Sequence, residues 1–382
     1  MKIDLVASTG KLSTKEDMIR FGRDAARICY SELDFDQLQS ETDNGGLADT
    51  LLNKGHHSPY EHAHMTFYIR EIPKMGAMIL NNENVYVTSE KSARYTTMQP
   101  TQEQKELYDK WMDIFLEKIE NLYPSMNKRT KQNLAKENAR YLTSVFTPTK
   151  MLHTVSFRQL NYIMHFFDSF IRDQDDTHFN THIKNFMSEF NQHLRPFYDE
   201  RLEPADKRRS LSLFAKRDNF KEEFGENYST TFNISFAGLA QQQRHRTLGY
   251  QMQIPKKATG KDDIFMPAIL DEDHLLSQMW YEDMLKIAEH DFPQGQLVKV
   301  NEYGHYSDFL SKATERLCGH AQWEIMNATK NTLERYIKST FLENHDVHKE
   351  LLDYSYGPRC TFPHIKCKDP CIFGKKSLER LI

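Results

Sequence analysis

The stretch QQQRHRTLGYQ, residues 241–251, follows the small apolar run NISFAGLA (233–240) and sets one arginine on each side of a histidine. In an extended chain Arg244 and Arg246 point to the same side, whereas at a helix end they splay and bracket His245. Either way, donors of the triplet can converge on something anionic or planar. The chain contains no G-x-G-x-x-G or G-x-x-x-x-G-K-[ST] turn, so a bound nucleotide would be met by arginine side chains and not by a glycine-rich helix N-terminus. The competing reading of the triplet is a solvated basic turn.

The bulk composition makes this a question of local sites. With 382 residues, 39% hydrophobic and 27% charged, the chain can bury a sizeable core in one large domain or two. Its net charge of -4 supplies no global basic field for nucleic acid, so any anion must be met by a local cluster. The N-terminal stretch lacks the apolar run of a signal peptide and no later stretch has the length of a membrane span, which leads us to expect a cytoplasmic protein that binds neither membrane nor nucleic acid. Of five cysteines, Cys29 and Cys318 fall in helical patterns and Cys360, Cys367 and Cys371 bunch late in the chain, which is no secreted disulfide framework.

Local patterns give an element order. TKED (14–17) reads as a capping box opening an amphipathic helix, GLADTLLNKG (46–55) as a short helix, and HMTFYIRE (64–71) as a strand. Leu107, Trp111, Ile114, Phe115, Ile119 and Leu122 recur at helical spacing before Pro124. MWYEDMLKIAEHDFP (279–293) repeats that run, with Trp280 as far from Pro293 as Trp111 is from Pro124. Long helices are expected after both, at RQLNYIMHFFDSFI (158–171) and DFLSKATERLCGHAQWEIM (308–326). The layout suggests an internal repeat. Its boundary would lie in the charge-rich stretch 203–227, giving an N-terminal repeat at 1–202, a C-terminal repeat at 203–345 and a cysteine-bearing tail at 346–382.

Two further stretches concentrate polar chemistry. GHHSPYEHAHM (55–65) carries His56, His57, Ser58, Glu61, His62 and His64, but Pro59 and the spacing do not match a helical zinc motif, so capping of a turn is the competing reading. SEKSARYT (89–96) places Glu90, Ser92, Arg94 and Tyr95 together, a set suited to a phosphate or a base edge. In the tail, Cys360, His364, Cys367 and Cys371 are ligands enough for a tetrahedral zinc but lack a C-x-x-C knuckle. No metal is assigned; the reading set beside zinc is a tail that docks on the fold.

Taken jointly, these pieces resemble the flavin-dependent thymidylate synthases. That family shows GHxSPxEHxxFTF, RHR followed by SxRY, ARxxLP, NxRxL and a closing RxxxHAQWEI. Here the first half holds GHHSPYEHAHMTFYI (55–69), SEKSARY (89–95) and ENARYLTSVFTPTKMLHTVSFRQL (137–160), while RHR falls on Asn82, Glu83 and Asn84 and the late arginine on Phe167. The second half keeps QQQRHRT and ERLCGHAQWEI (315–325), but SxRY falls on Ile254, Lys256 and Lys257. The NxRxL start falls near His305 and Ser307, and its asparagine is replaced by Ser156 in the first half.

The resemblance implies an α+β fold of the flavin-dependent thymidylate synthase type, present as two tandem repeats, each with a twisted sheet and long helices. It implies reductive methylation of dUMP to dTMP with methylenetetrahydrofolate and NADPH, through FAD. Carried over by motif, dUMP would be held by Glu90, Ser92, Arg94, Arg140, Gln241, Arg244 and Arg316. FAD would be held by His56, Ser58, Glu61, Arg158, Arg244, His245, Arg246 and His320, and catalysis would rest on Arg316, Arg94, Ser92 and His56. Each half has lost what the other keeps, so a homodimer forming a pseudo-tetramer with two competent sites is expected. Departures such as Ser156 and the inserted IPKKATGKDD (254–263) leave open a related modification, hydroxymethylation of dUMP or action on dCMP. A nucleotide-binding homologue without catalysis is the reading from a different class.

Overall fold

The computed structural model describes residues 1–40, 46–96, 98–204, 211–214, 220–342 and 345–382. Parts of the expected repeat boundary, 205–210 and 215–219, lie outside the described residues. In chain order the elements are β1 (Lys2–Ser8), α1 (Lys15–Arg27), α2 (Phe35–Ser40), α3 (Leu47–Asn53), β2 (His64–Pro73), α4 (Lys74–Leu80), β3 (Val87–Glu90), α5 (Gln102–Leu122), α6 (Lys128–Ala139), β4 (Pro148–Ser156), α7 (Phe157–Asp173) and α8 (His178–Leu194). They continue with β5 (Asn227–Ser235), α9 (Phe236–Gln242), β6 (Gly249–Met252), α10 (Ala268–Asp271), α11 (His274–His290), β7 (Leu297–His305), α12 (Tyr306–Arg316), α13 (Trp323–Thr340) and α14 (His345–Leu352). None of the described helices is long and apolar enough to cross a membrane.

Two compact units emerge, and they are not the two sequence halves. One comprises Met1–Lys91 with Pro148–Leu211, the other Ser92–Thr147 with Ser212–Ile382. The first unit holds an antiparallel sheet of order β1-β2-β4-β3, and the second an antiparallel sheet of order β5-β7-β6. Alternation makes the first sheet: along β4 every second residue is buried, which puts Met151, His153 and Val155 inward. Thr14 accepts from the Asp17 amide at 3.1 Å and opens α1 as TKED predicts. That helix stops at Arg27, because the amides of Cys29 and Tyr30 turn back to Ala26 and Arg27; Cys29 is therefore exposed in a turn and not inside a helix.

The two sheets share a register. Val87, opening β3, faces Thr154 of β4, and Gly249, opening β6, faces Tyr303 of β7, each partner lying third from the end of its strand. Pro73 and Ser235, ending β2 and β5, face Pro148 and Leu297, which open β4 and β7. The strand-helix-strand-helix-strand-helix order of the first half thus recurs in the second.

Within the second unit, matching elements of both halves meet. Trp111 of α5 and Trp280 of α11 pack edge to face at 4.9 Å, both fully buried, with Phe115 against Trp280 at 5.7 Å. Ser144 and Pro293, each four residues before its strand, bridge one another antiparallel, flanked by Val145 N–H to Phe292 C=O at 2.8 Å and Gln294 N–H to Thr143 C=O at 2.8 Å. Equivalent positions pairing with each other is what a local two-fold axis produces.

One expected helix is interrupted. DFLSKATERLCGHAQWEIM forms α12, a loop at 317–322, and α13, so Cys318 lies in the loop. The carbonyls of residues 317 and 319–321 accept from donors outside the helix ladder, namely the Arg359 amide and the Arg94 and Arg380 side chains. Gln322 is extended, with ψ 144, and starts a new helix.

His153, in β4, stacks on Tyr86 at 5.5 Å, and neither ring nitrogen has a hydrogen-bond partner. Burial pushes its pKa from 6.5 down to about 4, so the folded form keeps it neutral while the unfolded chain takes up a proton first. Its contribution is therefore present above about pH 6.5 and is lost as pH falls toward about 4, by about 3 kcal/mol at most. Denaturant melts of wild type and His153→Phe across this window should show a shallower acid loss in the variant; identical pH dependence would contradict the assignment.

Candidate active site

Unit 2 collects cationic side chains on separate elements. Arg94 follows β3 in a turn where its amide donates to Ser92 Oγ at 3.3 Å. Its Nε donates to Glu137, near the end of α6, and its Nη2 to the His320 carbonyl at 3.1 Å. Burial opposes the charge of Arg94, but Glu137 together with Tyr95 and Tyr141 outweighs it and holds its pKa above the usual range. Arg140, just past α6, is 7% exposed; it donates to Gln322 Oε1 at 2.5 Å, while its Nε lacks a partner. Burial lowers its pKa.

Arg316 ends α12, and its Nε donates to His245 Nε2 at 2.6 Å. His245 must therefore be neutral, with its proton on Nδ1, which faces Glu315 at 4.0 Å. Burial, followed by the charges of Arg316 and Lys312, pushes the His245 pKa down to about 2. Arg316 is itself lowered, first by burial and further by Arg244 and Arg94, against Glu315. The α9 helix ends at Gln242, so the triplet lies at a helix end: Arg244 and Arg246 are exposed and His245 is buried. The Arg244 side chain has no hydrogen-bond or ion-pair partner among the described residues, while its amide donates to the Gln241 carbonyl at 3.3 Å.

A buried network links these arginines. Gln322 Oε1 accepts from both Arg140 and the Gln241 amide, and Gln322 Nε2 donates to the Tyr141 hydroxyl. Tyr141 donates to Glu324 at 2.8 Å, and Glu324 accepts from the Ser235 amide and hydroxyl, both at 2.7 Å. Burial pushes the Glu324 carboxyl up, against those hydrogen bonds. Gly238 fits only because it lacks a side chain, since a Cβ there would lie 2.8 Å from the Glu324 carboxyl. Arg140 also lines a cavity of about 250 Å³ with Ala93, Thr96, Tyr108 and Thr143.

Unit 1 holds the remaining candidates. A cavity of about 580 Å³ is lined by Ser58, Glu61, Asn84, Arg158, Gln159 and Tyr162 among others. Arg158 donates to Glu61 at 2.7 Å and to Glu203 at 2.8 Å, so its charge is answered by two carboxylates. His56 is exposed and does not line this cavity. Ser156, in place of the family's asparagine, caps α7 by accepting from the Gln159 amide at 3.0 Å. Glu90 is paired with Lys74 at 2.8 Å and accepts from Asn81 at 3.3 Å.

Of the dUMP set, then, Ser92, Arg94, Arg140, Gln241, Arg244 and Arg316 belong to unit 2 and Glu90 to unit 1. The FAD set divides, with His56, Ser58, Glu61 and Arg158 in unit 1 and Arg244, His245, Arg246 and His320 in unit 2. Among the tail candidates, Cys360, Cys367 and Cys371 line a cavity of about 110 Å³ with Cys318, whereas His364 packs on the Tyr354 ring at 5.4 Å. Among the described residues no group of three or more His, Cys, Asp or Glu side chains is placed to hold a metal ion.

Residues 12–179 match the family described as Thymidylate synthase complementing protein. Over these residues, less than half of the chain, it is similar to the flavin-dependent thymidylate synthases. A flavin-dependent thymidylate synthase of Geobacter sulfurreducens is 25% identical over 159 residues, covering 37% of this chain and 64% of the relative. One from Pyrococcus furiosus is 27% identical over 140 residues, covering 34% of this chain and 54% of the relative. The chain thus spans less than two thirds of the length of either relative. Among solved structures, the UMP/dUMP methylase PolB of Streptomyces cacaoi is 18% identical with a TM-score of 0.32, covering 52% of this chain and 91% of that one. Thymidylate Synthase X of Helicobacter pylori, solved with FAD and dUMP, is 17% identical with a TM-score of 0.31, covering 53% and 96%.

Sequence motifs placed the family's arginines but missed their holders. Glu137, Gln322, Tyr141 and Glu324 all lie within quoted motifs, yet no spacing rule pairs them across the chain. In NMR pH titrations the His245 ring should stay neutral from about pH 8 to about pH 4, where an ordinary histidine titrates near 6.5. A midpoint near 6.5 would contradict its lock on Arg316.

Proposed function

We propose that the protein is an enzyme that reductively methylates dUMP to dTMP, with methylenetetrahydrofolate as carbon donor and NADPH as reductant, through FAD. The observation that carries this reading is the arginine cluster of unit 2, where Arg94, Arg140 and Arg316 come from motifs in both sequence halves. Arg244 and Arg94 both repel Arg316, and Arg140 has an unmet donor. Such a cluster is stabilised by an anion, and a nucleotide monophosphate bearing a pyrimidine able to take negative charge answers it.

Each side chain then has a role within reach of its geometry. Arg94, held from behind by Glu137, would grip phosphate or pyrimidine oxygens, with Ser92 beside it in the same turn. Arg316, aimed by neutral His245, would stabilise charge developing on the ring. Arg140 and Gln241, both tied to Gln322, would fix the base edge. Arg244, exposed and unpaired, is free to reach an anion. Cys318 falls on an unspecified position of RxxxHAQWEI and no other cysteine lies in the quoted motifs, so no thiol nucleophile is assigned.

The donor set of unit 1 fits FAD in its neutral groups, Ser58 and Gln159 for polar edges and Tyr162 as a ring face around the 580 Å³ cavity, while Arg158, paired with Glu61 and Glu203, would meet a phosphate by exchanging Glu61 for it. His56, His245, Arg246 and His320 complete the set implied by the family motifs. When bound, reduced FAD would supply hydride to the methylene-bearing pyrimidine. The matching registers of the two sheets and the Ser144–Pro293 pairing support descent from a duplicated and fused chain, working as a homodimer with one competent site per chain.

Purified protein supplied with FAD, NADPH and methylenetetrahydrofolate should convert dUMP to dTMP, identified by mass, and light scattering should show a dimer. Arg94→Ala and Arg316→Ala should each lower turnover at least about 100-fold, the scale on which removal of a preorganised charge acts. A hydroxymethylated product, turnover by a monomer, or wild-type rates in either variant would each refute the corresponding part of the reading.

A further inference from the structure

The loop at 317–322 follows one proposed substrate group, Arg316, and ends at Gln322, which holds two others, Arg140 and Gln241. Its own carbonyls are unusually well held. Arg380, in the tail, is 4% exposed and donates one Nη to the Gly319 carbonyl and the other to the Ala321 carbonyl. Arg94 takes the His320 carbonyl between them, and the Arg359 amide takes that of Leu317 at 2.5 Å. Two guanidinium groups thus cap three consecutive carbonyls, one belonging to the proposed substrate site and one to the tail.

The tail is fixed to make this contact. Trp323 Nε1 donates back to the Arg380 carbonyl at 2.7 Å, and the guanidinium lies over the Phe373 ring at 5.0 Å. Phe373 packs edge to face on Tyr123 at 5.4 Å, whose hydroxyl accepts from the Leu381 amide at 3.3 Å. Ile382, 1% exposed, joins the core containing Trp111 and Trp280. On the loop side the approach is so close that a Cβ on Gly319 would lie 2.3 Å from Cys371 Sγ.

We propose that Arg380 is a positioning residue of the nucleotide site, clamping the 317–322 loop so that Arg94 and Arg316 present their donors together while Gln322 holds Arg140 and Gln241. The inference rests on the dUMP reading above. Lysine cannot replace the fork, because a single ammonium does not span two carbonyls two residues apart in the geometry that a planar guanidinium does.

The test measures dUMP affinity by calorimetry and loop amide exchange by mass spectrometry, in wild type, Arg380→Ala and Arg380→Lys. In Arg380→Ala, dUMP affinity should fall at least about tenfold, equivalent to about 1.4 kcal/mol, and amides of the loop should exchange faster while α5 and α11 stay protected. Millimolar guanidinium should restore affinity to Arg380→Ala but leave Arg94→Ala unchanged, and Arg380→Lys should resemble the alanine variant. Unchanged loop exchange in a folded Arg380→Ala would overturn the clamp, as would wild-type affinity in that variant. Wild type that binds no dUMP would overturn the nucleotide reading alone, because loop exchange still decides the clamp. Should Arg380→Ala not fold, Gly319→Ala displaces the tail from the loop instead, and Cys371→Ala with Ser377→Ala added to it should restore affinity by removing the sulfur and the hydroxyl that the new Cβ would meet at 2.3 and 2.9 Å. Failure of Gly319→Ala to weaken binding, or of the paired substitutions to relieve it, would count against the clamp.

Discussion

A buried guanidinium is tolerated only where its charge and its donors are met, and among the described residues of the second unit Arg94, Arg140, Arg316 and Arg380 are buried wholly or in large part. The surrounding structure is arranged around meeting them without cancelling them. Glu137 serves Arg94, but Arg316 is received by a neutral histidine with Glu315 farther off at 3.8 Å, Arg140 by an amide oxygen and Arg380 by backbone carbonyls. Neutral acceptors satisfy geometry while leaving positive charge in place. That residual charge is what makes the region suited to an anion.

The same constraint explains the loop between α12 and α13. A continuous helix would have used carbonyls 317 and 319–321 in its own ladder. Breaking it there releases those oxygens to arginines from a turn after β3 and from the tail, and returns Gln322 to the network with Arg140, Gln241 and Tyr141. Arginines and loop therefore depend on each other, and Glu324, buried behind them, connects the network to the cap of α9.

Much of the fold was legible from periodicity. The capping box at Thr14, the alternation of β2, and the spacing of Trp111 and Trp280 before their prolines all mark elements that exist, because each is a local pattern. The repeat, visible only as a hint in the sequence, has a structural counterpart in two sheets with the same register. What was not legible depends on distant partners. RHR announced three donors, but nothing local says that its histidine turns inward to accept from Arg316 while its arginines face out. The apolar spacing through 308–326 fits a helix, and only the tail, more than thirty residues away, shows why it stops. The motif residues were likewise assigned by resemblance without any sign that the compact units divide SEKSARY between Glu90 and Ser92.

If the proposed nucleotide reading holds, the division of motifs between the two halves leaves one full set of pyrimidine-binding groups per chain, not two. Calorimetric titration of the flavin-loaded protein with dUMP measures this stoichiometry. The account predicts one dUMP bound per chain. Two per chain would show that the halves retain separate sites, and none would show that the arginine cluster serves a different ligand.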